Sequence, residues 1–254
     1  VRWMADLVQY PATAAGNIAS GGSIANLTAI VTARDAMNIK ARDIHRTCIY
    51  MTQQAHHSVL KAIKVAGLQE AQLHELPVDA HYRMDAAALS RAVEADKAAG
   101  LRPFLVVASA GTTDTGAVDP LKAIAEVAAG NNMWMHVDAA YGGFFLLTET
   151  GRQLFTGIEK SDSVVMDPHK GMFLPYGSGA LIVKNGQHLY NAHQYEANYM
   201  QDAAVDSREW SPADLSPELT RHFRGLRMWL PLRLHGLAPF RAALEEKLCL
   251  CRFF

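Results

Sequence analysis

The stretch from Val164 to Phe173 reads VVMDPHKGMF, an apolar run that predicts a buried strand and then changes character. The run ends at Asp167, Pro168 and His169, and Lys170 follows before a glycine. A lysine at such a place is either a solvated turn residue or a residue that takes part in the protein's chemistry. The rest of the chain decides between the two.

Short apolar runs alternate with helical patterns on both sides of this stretch. Strands are predicted at 48–52, 72–77, 104–110, 133–139, 163–167 and 179–184, and helices near 23–40, 57–67, 85–98 and 120–129. The predicted helix boundaries are Asp85, Pro120, Gly67, Gly100 and Gly130. This order predicts an α/β fold with a mostly parallel central sheet flanked by helices. We expect a functional or disordered loop at 190–217, and at 218–247 a helix interrupted at Pro231 and Gly236.

The amino-acid composition limits the classes of partner that the protein is expected to bind. The 254 residues include 24 basic and 25 acidic side chains, a formal net charge of −1, so no strong field favours nucleic acid or an anionic membrane. No apolar run is long enough to predict a membrane span. Cys48, Cys249 and Cys251 lack disulfide or zinc spacing, which is typical of a cytoplasmic protein. No metal site is predicted, because His56 and His57 lack partners at ligand spacing.

The residues that could act in catalysis or ligand binding follow the predicted strands, at the edge where parallel sheets bind ligands. The glycine-rich turn ASGGSIANL, at 19–27, opens a helix whose free N–H groups can hold a phosphate. With His56, Asp138 and Lys170 it supplies the parts that pyridoxal 5′-phosphate (PLP) needs. Lys170 can form an imine with the aldehyde carbon, and Asp138 can keep the ring nitrogen protonated. His56 can lie on one ring face, with the methyl group of Ala140 against the other.

Six motifs carry a family resemblance in order and spacing over essentially the whole chain: SGGSIANL, AHHSVLKA, GTTDTGAVDPL, HVDAAYGG, DPHKG and RHFRGLRMW. The chain resembles the group II PLP-dependent amino-acid decarboxylases of the fold-type I superfamily. Aromatic-amino-acid, histidine, glutamate and diaminobutyrate decarboxylases belong to that group. The resemblance implies decarboxylation of an L-amino acid to the amine and CO2, with PLP as cofactor.

Site residues follow from the same resemblance. It implies that Lys170 carries the imine, that Asp138 binds the ring nitrogen and that His56 stacks on the ring. The remaining implied cofactor contacts are Gly21, Gly22 and Ser23 at the phosphate, His169 beside them, and Thr112 on the ring's hydroxyl side. Ala140 completes the predicted set.

The resemblance also implies a homodimer with its active site at the subunit interface. The resemblance further implies an N-terminal arm and a small C-terminal domain, which we expect to lie outside residues 1–254. We therefore expect residues 1–254 to be the PLP-binding large domain of a longer protein.

Two positions depart from the family pattern. Asp167 stands where many members have an asparagine that binds the phosphate, so it either points elsewhere or is neutral. In the loop, Ser207 stands where aromatic-acid decarboxylases have a proton-donating tyrosine. Tyr199 is our candidate for this catalytic role beside Lys170 and His56, and Tyr195 is the alternative.

Other interpretations stay open. The chain could be another fold-type I enzyme, namely a carbon–carbon lyase of the sphingosine-phosphate type, an aldehyde synthase or an aminotransferase, or an inactive truncated chain. Thr112 could serve only in a turn, and His136 is predicted to be a packed strand residue. For three arginines at helical spacing, a solvated helix face is the leading interpretation, although one of them could bind a carboxylate or a phosphate bidentately: Arg221, Arg224 and Arg227.

Overall fold

The computed structural model describes residues 1–195 and 210–251, and a seven-stranded sheet forms the centre of this part. The strands are β1 (Ala15–Ala19), β2 (Thr47–Thr52), β3 (Gln72–Leu76), β4 (Arg102–Ser109), β5 (Trp134–Asp138), β6 (Ser163–Met166) and β7 (Gly179–Val183). Their order across the sheet is β1-β7-β6-β5-β4-β2-β3. Strand β7 is antiparallel to both of its neighbours, whereas the other pairs are parallel. The predicted α/β fold with a mostly parallel sheet is confirmed.

Helices connect the strands in the described ranges. They are α1 (Arg2–Leu7), α2 (Gly22–Ala36), α3 (His57–Val65), α4 (Ala86–Ala98), α5 (Leu121–Gly130), α6 (Glu149–Leu154), α7 (Pro168–Gly171), α8 (Gly186–His193), α9 (Gly225–His235) and α10 (Ala238–Leu250). None of them is long and apolar enough to cross a bilayer.

Side-chain alternation along the strands divides the core into two layers. Trp134 of β5 belongs to a buried cluster with Ala29 of α2, on one face of the sheet. Its neighbour Met135 belongs to a cluster with Leu89 of α4 and Ile124 of α5, on the other face. The even-numbered residues of β5 therefore face α2, which decides where its polar side chains go.

The predicted helix boundaries are largely confirmed by local geometry. The Asp85 carboxylate caps α4 by accepting from Ala87 N at 2.8 Å and Ala88 N at 3.0 Å. Gly67 and Gly100 follow α3 and α4 with φ of +74°, the left-handed conformation that ends helices.

Three elements differ from the sequence prediction. Strand β1 was not predicted, because glycine and asparagine within AGNIA are poor strand formers, but pairing with β7 completes the sheet edge. Helix α8 extends to His193, so the loop predicted from residue 190 is wrong at its start. Helix α9 continues through Pro231 and ends before Gly236, so only the second predicted interruption is confirmed.

Candidate active site

A cavity of about 470 Å³ lies where the loops after β2, β4, β5 and β6 meet the first turn of α2. Its lining includes the nine residues predicted to hold the cofactor: Gly21, Gly22, Ser23, His56, Thr112, Asp138, Ala140, His169 and Lys170. Tyr199 and Ser207 lie outside the described residues, and Tyr195 is largely exposed. The structure therefore brings together every predicted site residue that it describes, whereas their roles stay predictions.

The glycine turn forms the amino-terminal end of α2, as expected of an anion site. Gly21 is the helix N-cap residue and has no side chain of its own to cap the helix, and the Gly22 N–H donates to Asp167 Oδ2 at 3.2 Å. The helix has 15 residues, so its amino end carries unsatisfied N–H groups and the positive end of the helix dipole. Gly22 must be a glycine for space, because a Cβ there would lie 2.8 Å from Asp167 Oδ2.

Asp138 ends β5 on the face toward α2, and both of its oxygens accept hydrogen bonds. Asn26 Nδ2 donates to Oδ2 at 2.9 Å, and the Ala140 N–H donates to Oδ1 at 3.1 Å. The residue is 8% exposed. A buried carboxylate whose two oxygens both accept hydrogen bonds is fixed in position and can accept from a cationic partner.

His56 caps the amino end of α3 with its own ring. Its Nδ1 accepts from the Ser58 N–H at 3.2 Å and lies 2.7 Å from Ser58 Oγ. The neighbouring ring of His57 is 4.0 Å away, centroid to centroid. Burial lowers the pKa of His56, and the charge of His57 lowers it further. His56 is therefore a neutral, flat group at the cavity wall.

Lys170 lies on the short helix α7, and its Nζ is 3.1 Å from Asp167 Oδ2. Asp167 is 1% exposed, and burial raises its pKa while Lys170 and His169 act to lower it. His169 hydrogen-bonds the Ser178 carbonyl through Nδ1 at 3.0 Å, so its ring is fixed beside the glycine turn. Lys170 is thus a paired ammonium group at the cavity, not a solvated turn residue.

Thr112 lines the cavity, but its hydroxyl group takes part in a turn. Thr112 Oγ1 lies 2.7 Å from Thr115 Oγ1 and accepts from the Ala117 N–H at 3.1 Å. The two interpretations of Thr112, as a turn residue and as a wall of the site, therefore apply together.

Asn26 and Ser58 also line the cavity, and the sequence analysis did not select them. Asn26 Nδ2 reaches Asp138 at 2.9 Å and Ser58 Oγ at 3.1 Å, and Asn26 Oδ1 lies 2.9 Å from His136 Nε2. Asn26 follows Gly22 by four residues, one helical turn, so its position inside SGGSIANL was the available signal. His136 is fully buried in β5, which agrees with its predicted role as a packed strand residue.

The three arginines that were interpreted as a solvated face make specific contacts instead. Arg224 binds Glu218 bidentately, at 3.2 and 3.0 Å. Arg227 donates to the Tyr176 carbonyl at 2.7 Å, and Arg221 donates to the Pro212 carbonyl at 2.9 Å and to Asn17. Arg227 therefore attaches α9 to the segment that follows Lys170, where Tyr176 and Gly177 line the cavity.

Comparison with known proteins agrees with this geometry. The family model described as the pyridoxal-dependent decarboxylase conserved domain matches residues 1–254. An aromatic-L-amino-acid decarboxylase of Bacillus atrophaeus is 36% identical over 98% of this chain and 52% of its own length. An L-2,4-diaminobutyrate decarboxylase of Acinetobacter baumannii is 32% identical over 99% of this chain and 53% of its own length.

The fold is similar to that of a solved Oryza sativa structure, described as TDC with PLP and tryptamine. The TM-score is 0.88 at 33% identity, over 95% of this chain and 52% of the other. These likenesses define the class as that of the fold-type I PLP-dependent enzymes. The chain belongs to the pyridoxal-dependent decarboxylase family. It spans about half the length of the curated relatives that it matches.

Proposed function

We propose that residues 1–254 are the cofactor-binding large domain of a PLP-dependent L-amino-acid decarboxylase, a carboxy-lyase that releases CO2 and the corresponding amine. One observation carries the proposal. A lysine, a carboxylate with a donor on each oxygen, a neutral histidine and a glycine-rich helix end surround a single cavity, and they come from four separate parts of the sequence. PLP presents an aldehyde, a ring nitrogen, a flat ring and a phosphate to such a set.

The described residues fit PLP on chemical grounds. The amino end of α2 at Gly21, Gly22 and Ser23 offers N–H groups to a phosphate, with His169 beside them. The Asp138 carboxylate, which accepts a hydrogen bond on each oxygen, would suit a protonated ring nitrogen. The remaining contacts would be His56 and Ala140 at the two ring faces, Thr112 at the ring's hydroxyl group, and Lys170 at the aldehyde carbon.

When bound, PLP supplies an electron sink for the electron pair that the departing carboxylate leaves behind. The chain's own residues provide the rest. The Asp138 carboxylate, fixed by its two hydrogen bonds, would accept from the protonated ring nitrogen and stabilise its positive charge. His56 excludes water from one face, and its lowered pKa keeps it uncharged there. Tyr199 is proposed to return the proton to the substrate carbon, with Tyr195 as the alternative.

Homodimerisation and a cytoplasmic location are part of the proposal, with an amino acid as the small-molecule substrate. Large apolar side chains on and before α9 support an interface there: Phe223, Trp229 and Leu234 are 79%, 58% and 69% exposed. Such surfaces usually mark contacts with another protein or domain. The cysteines are all free thiols, which suits a reducing compartment.

The test uses the full-length protein, incubated with PLP and a panel of L-amino acids while CO2 and amine are followed. Borohydride trapping and peptide mapping should place the covalently held cofactor on Lys170, both in the natural protein and in a Lys160→Ala control. Trapping on another lysine would refute the site, and release of aldehyde without amine would refute the decarboxylase assignment.

A further inference from the structure

The carboxylate of Asp167 occupies the phosphate end of the cavity. It follows β6, and its Oδ2 accepts from the Gly22 N–H at 3.2 Å while lying 3.1 Å from Lys170 Nζ. Its other oxygen, Oδ1, is buried and has no hydrogen-bond partner among the described residues. A buried oxygen without a donor is costly, and the cost is larger for an ionised carboxylate than for a neutral carboxyl group.

Asp167 does not point elsewhere in the structure, because its carboxylate accepts from the Gly22 N–H and lies against glycine backbone on two sides. A Cβ at Gly22 of α2 would lie 2.8 Å from Oδ2, and a Cβ at Gly179 of β7 would lie 2.8 Å from Oδ1. The carboxylate is therefore held between the first turn of α2 and the start of β7. Of the two explanations for an aspartate at this position, only the neutral side chain remains compatible with a bound phosphate.

Charged groups reach Asp167 from three elements. Lys170 and His169 of α7 favour its ionised form, whereas Asp138 of β5 opposes it. His56, at the start of α3, is close enough for its own pKa to respond to Asp167. Helix α2 and strand β7 meet the carboxylate with glycine backbone. Lys170 is thus the main charge that holds Asp167 ionised, and it is also the residue proposed to react with the cofactor.

We propose that Asp167 takes up one proton from solvent when the cofactor phosphate binds, so that formation of the holoenzyme is linked to pH. The inference rests on the proposed function. A phosphate monoester carries roughly −1.5 to −2 charges at pH 7, and both anions need the Gly22 N–H. Two anions in one buried site do not both stay ionised. The protonated carboxyl group no longer repels the phosphate and can donate a hydrogen bond to it.

Cofactor affinity at different pH values tests the proposal without reference to turnover. PLP dissociation constants are measured from about pH 6 to about pH 9 for the natural protein, Asp167→Asn and Asp162→Asn. Asp162 is the matched control, because burial raises its pKa as well but it lies outside the cavity lining. Asparagine donates to phosphate without a proton from solvent, so Asp167→Asn should bind PLP more tightly at high pH.

The expected result is a change in the slope of PLP affinity, on a logarithmic scale, against pH. Above the pKa of Asp167, the affinity of the natural protein should fall relative to Asp167→Asn by up to about tenfold per pH unit. Asp162→Asn should follow the natural protein. Pyridoxal, which lacks the phosphate, should give the natural protein and Asp167→Asn parallel profiles.

Calorimetry of the natural protein alone gives a second readout, which does not depend on a variant folding. PLP binding in two buffers of different ionisation heat should show uptake of about one proton more than pyridoxal binding. Equal proton uptake for the two ligands, or parallel PLP profiles for the natural protein and Asp167→Asn, would overturn the inference and leave Asp167 as a cap for α2. Failure of every protein to bind PLP would instead overturn the proposed function.

Discussion

Two buried carboxylates line the cavity, and their hydrogen bonding differs. Asp138 has a donor on each oxygen, from Asn26 and from the Ala140 backbone. Asp167 has its contacts on Oδ2 and none among the described residues on Oδ1. Both side chains are almost inaccessible to solvent. Burial therefore does not distinguish the two carboxylates, whereas the number and placement of their donors does.

Asp138 and Asp167 also differ in the hydrogen bonds that their partners make with residues outside the cavity. The Asn26 amide nitrogen donates to the Asp138 carboxylate, so Asn26 Oδ1 faces His136 Nε2. His136 thus donates from Nε2 and accepts at Nδ1 from Ser163 Oγ, 2.8 Å away. Asp138 is thus joined to a continuous, directed set of hydrogen bonds. Asp167 is contacted instead by the Gly22 N–H and the Lys170 ammonium group, both at Oδ2.

Removing Lys170 would take away the ammonium group that contacts Asp167, and it has the largest expected effect. Lys170→Ala should lose covalent cofactor retention and reduce amine formation to background, because no other amine in the described part lines the cavity. Borohydride trapping and CO2 release measure the two losses. Lys160→Ala is the matched control and should behave like the natural protein, and retention of trapped cofactor in Lys170→Ala would contradict the assignment.

Asp138→Asn would test the other carboxylate while preserving side-chain size. The cofactor should still bind, but turnover should fall by roughly 10²-fold or more, because the ring nitrogen loses its anionic partner. Turnover is compared with bound cofactor, measured by absorbance on the same samples. Near-normal turnover would show that Asp138 does not pair with the ring.

Asn26→Leu would sharpen the comparison by depriving Asp138 of one donor and His136 of its acceptor. The unmet buried groups should lower the free energy of unfolding by about 1–3 kcal/mol. Turnover should fall as well, though less than in Asp138→Asn. Denaturant unfolding and turnover measure the two effects.

Thr28→Val is the control for Asn26→Leu. Thr28 is a buried residue of the same helix. Among the described residues, its hydroxyl group hydrogen-bonds only the Ile24 carbonyl, at 2.8 Å. Unchanged turnover in Asn26→Leu, with stability equal to that of Thr28→Val, would reduce Asn26 to a packing residue.

The pH dependence of stability gives the smallest effect. Burial lowers the pKa of His136 from its ordinary 6.5 to about 4. The unfolded chain therefore binds a proton that the folded chain excludes, so this contribution is complete above pH 6.5 and is lost as pH falls toward 4. Denaturation midpoints across this window should fall more steeply for the natural protein than for His136→Gln. Parallel curves would mean that His136 is charged in the folded protein.

Much of this organisation could be predicted from the sequence, because apolar runs and helix boundaries are local signals. The runs at β2, β4 and β5 and the cap at Asp85 needed no knowledge of tertiary contacts. Strand β1 could not be predicted in that way, since its stability comes from pairing with β7, far along the chain.

The same distinction between local signals and long-range contacts applies to the candidate site. Motifs predicted the residues that line the cavity, but not the contacts between them. The bond from Asn26 to Asp138 spans 112 positions, and that from Gly22 to Asp167 spans 145. The sequence left two explanations for Asp167, and only the backbone around Gly22 and Gly179 removed one of them.

The close approach of Gly179 to Gly21 has a consequence for the order of folding. A Cβ at Gly179 would lie 2.4 Å from the Gly21 carbonyl carbon, and β1 pairs with β7 along its whole length. The glycine turn is thus completed by a strand that the ribosome adds about 160 residues later. Contacts of such long range form late and slowly. A nascent chain that ends before β7 can build the layers around β2, β4 and β5, but it has no finished anion site to offer.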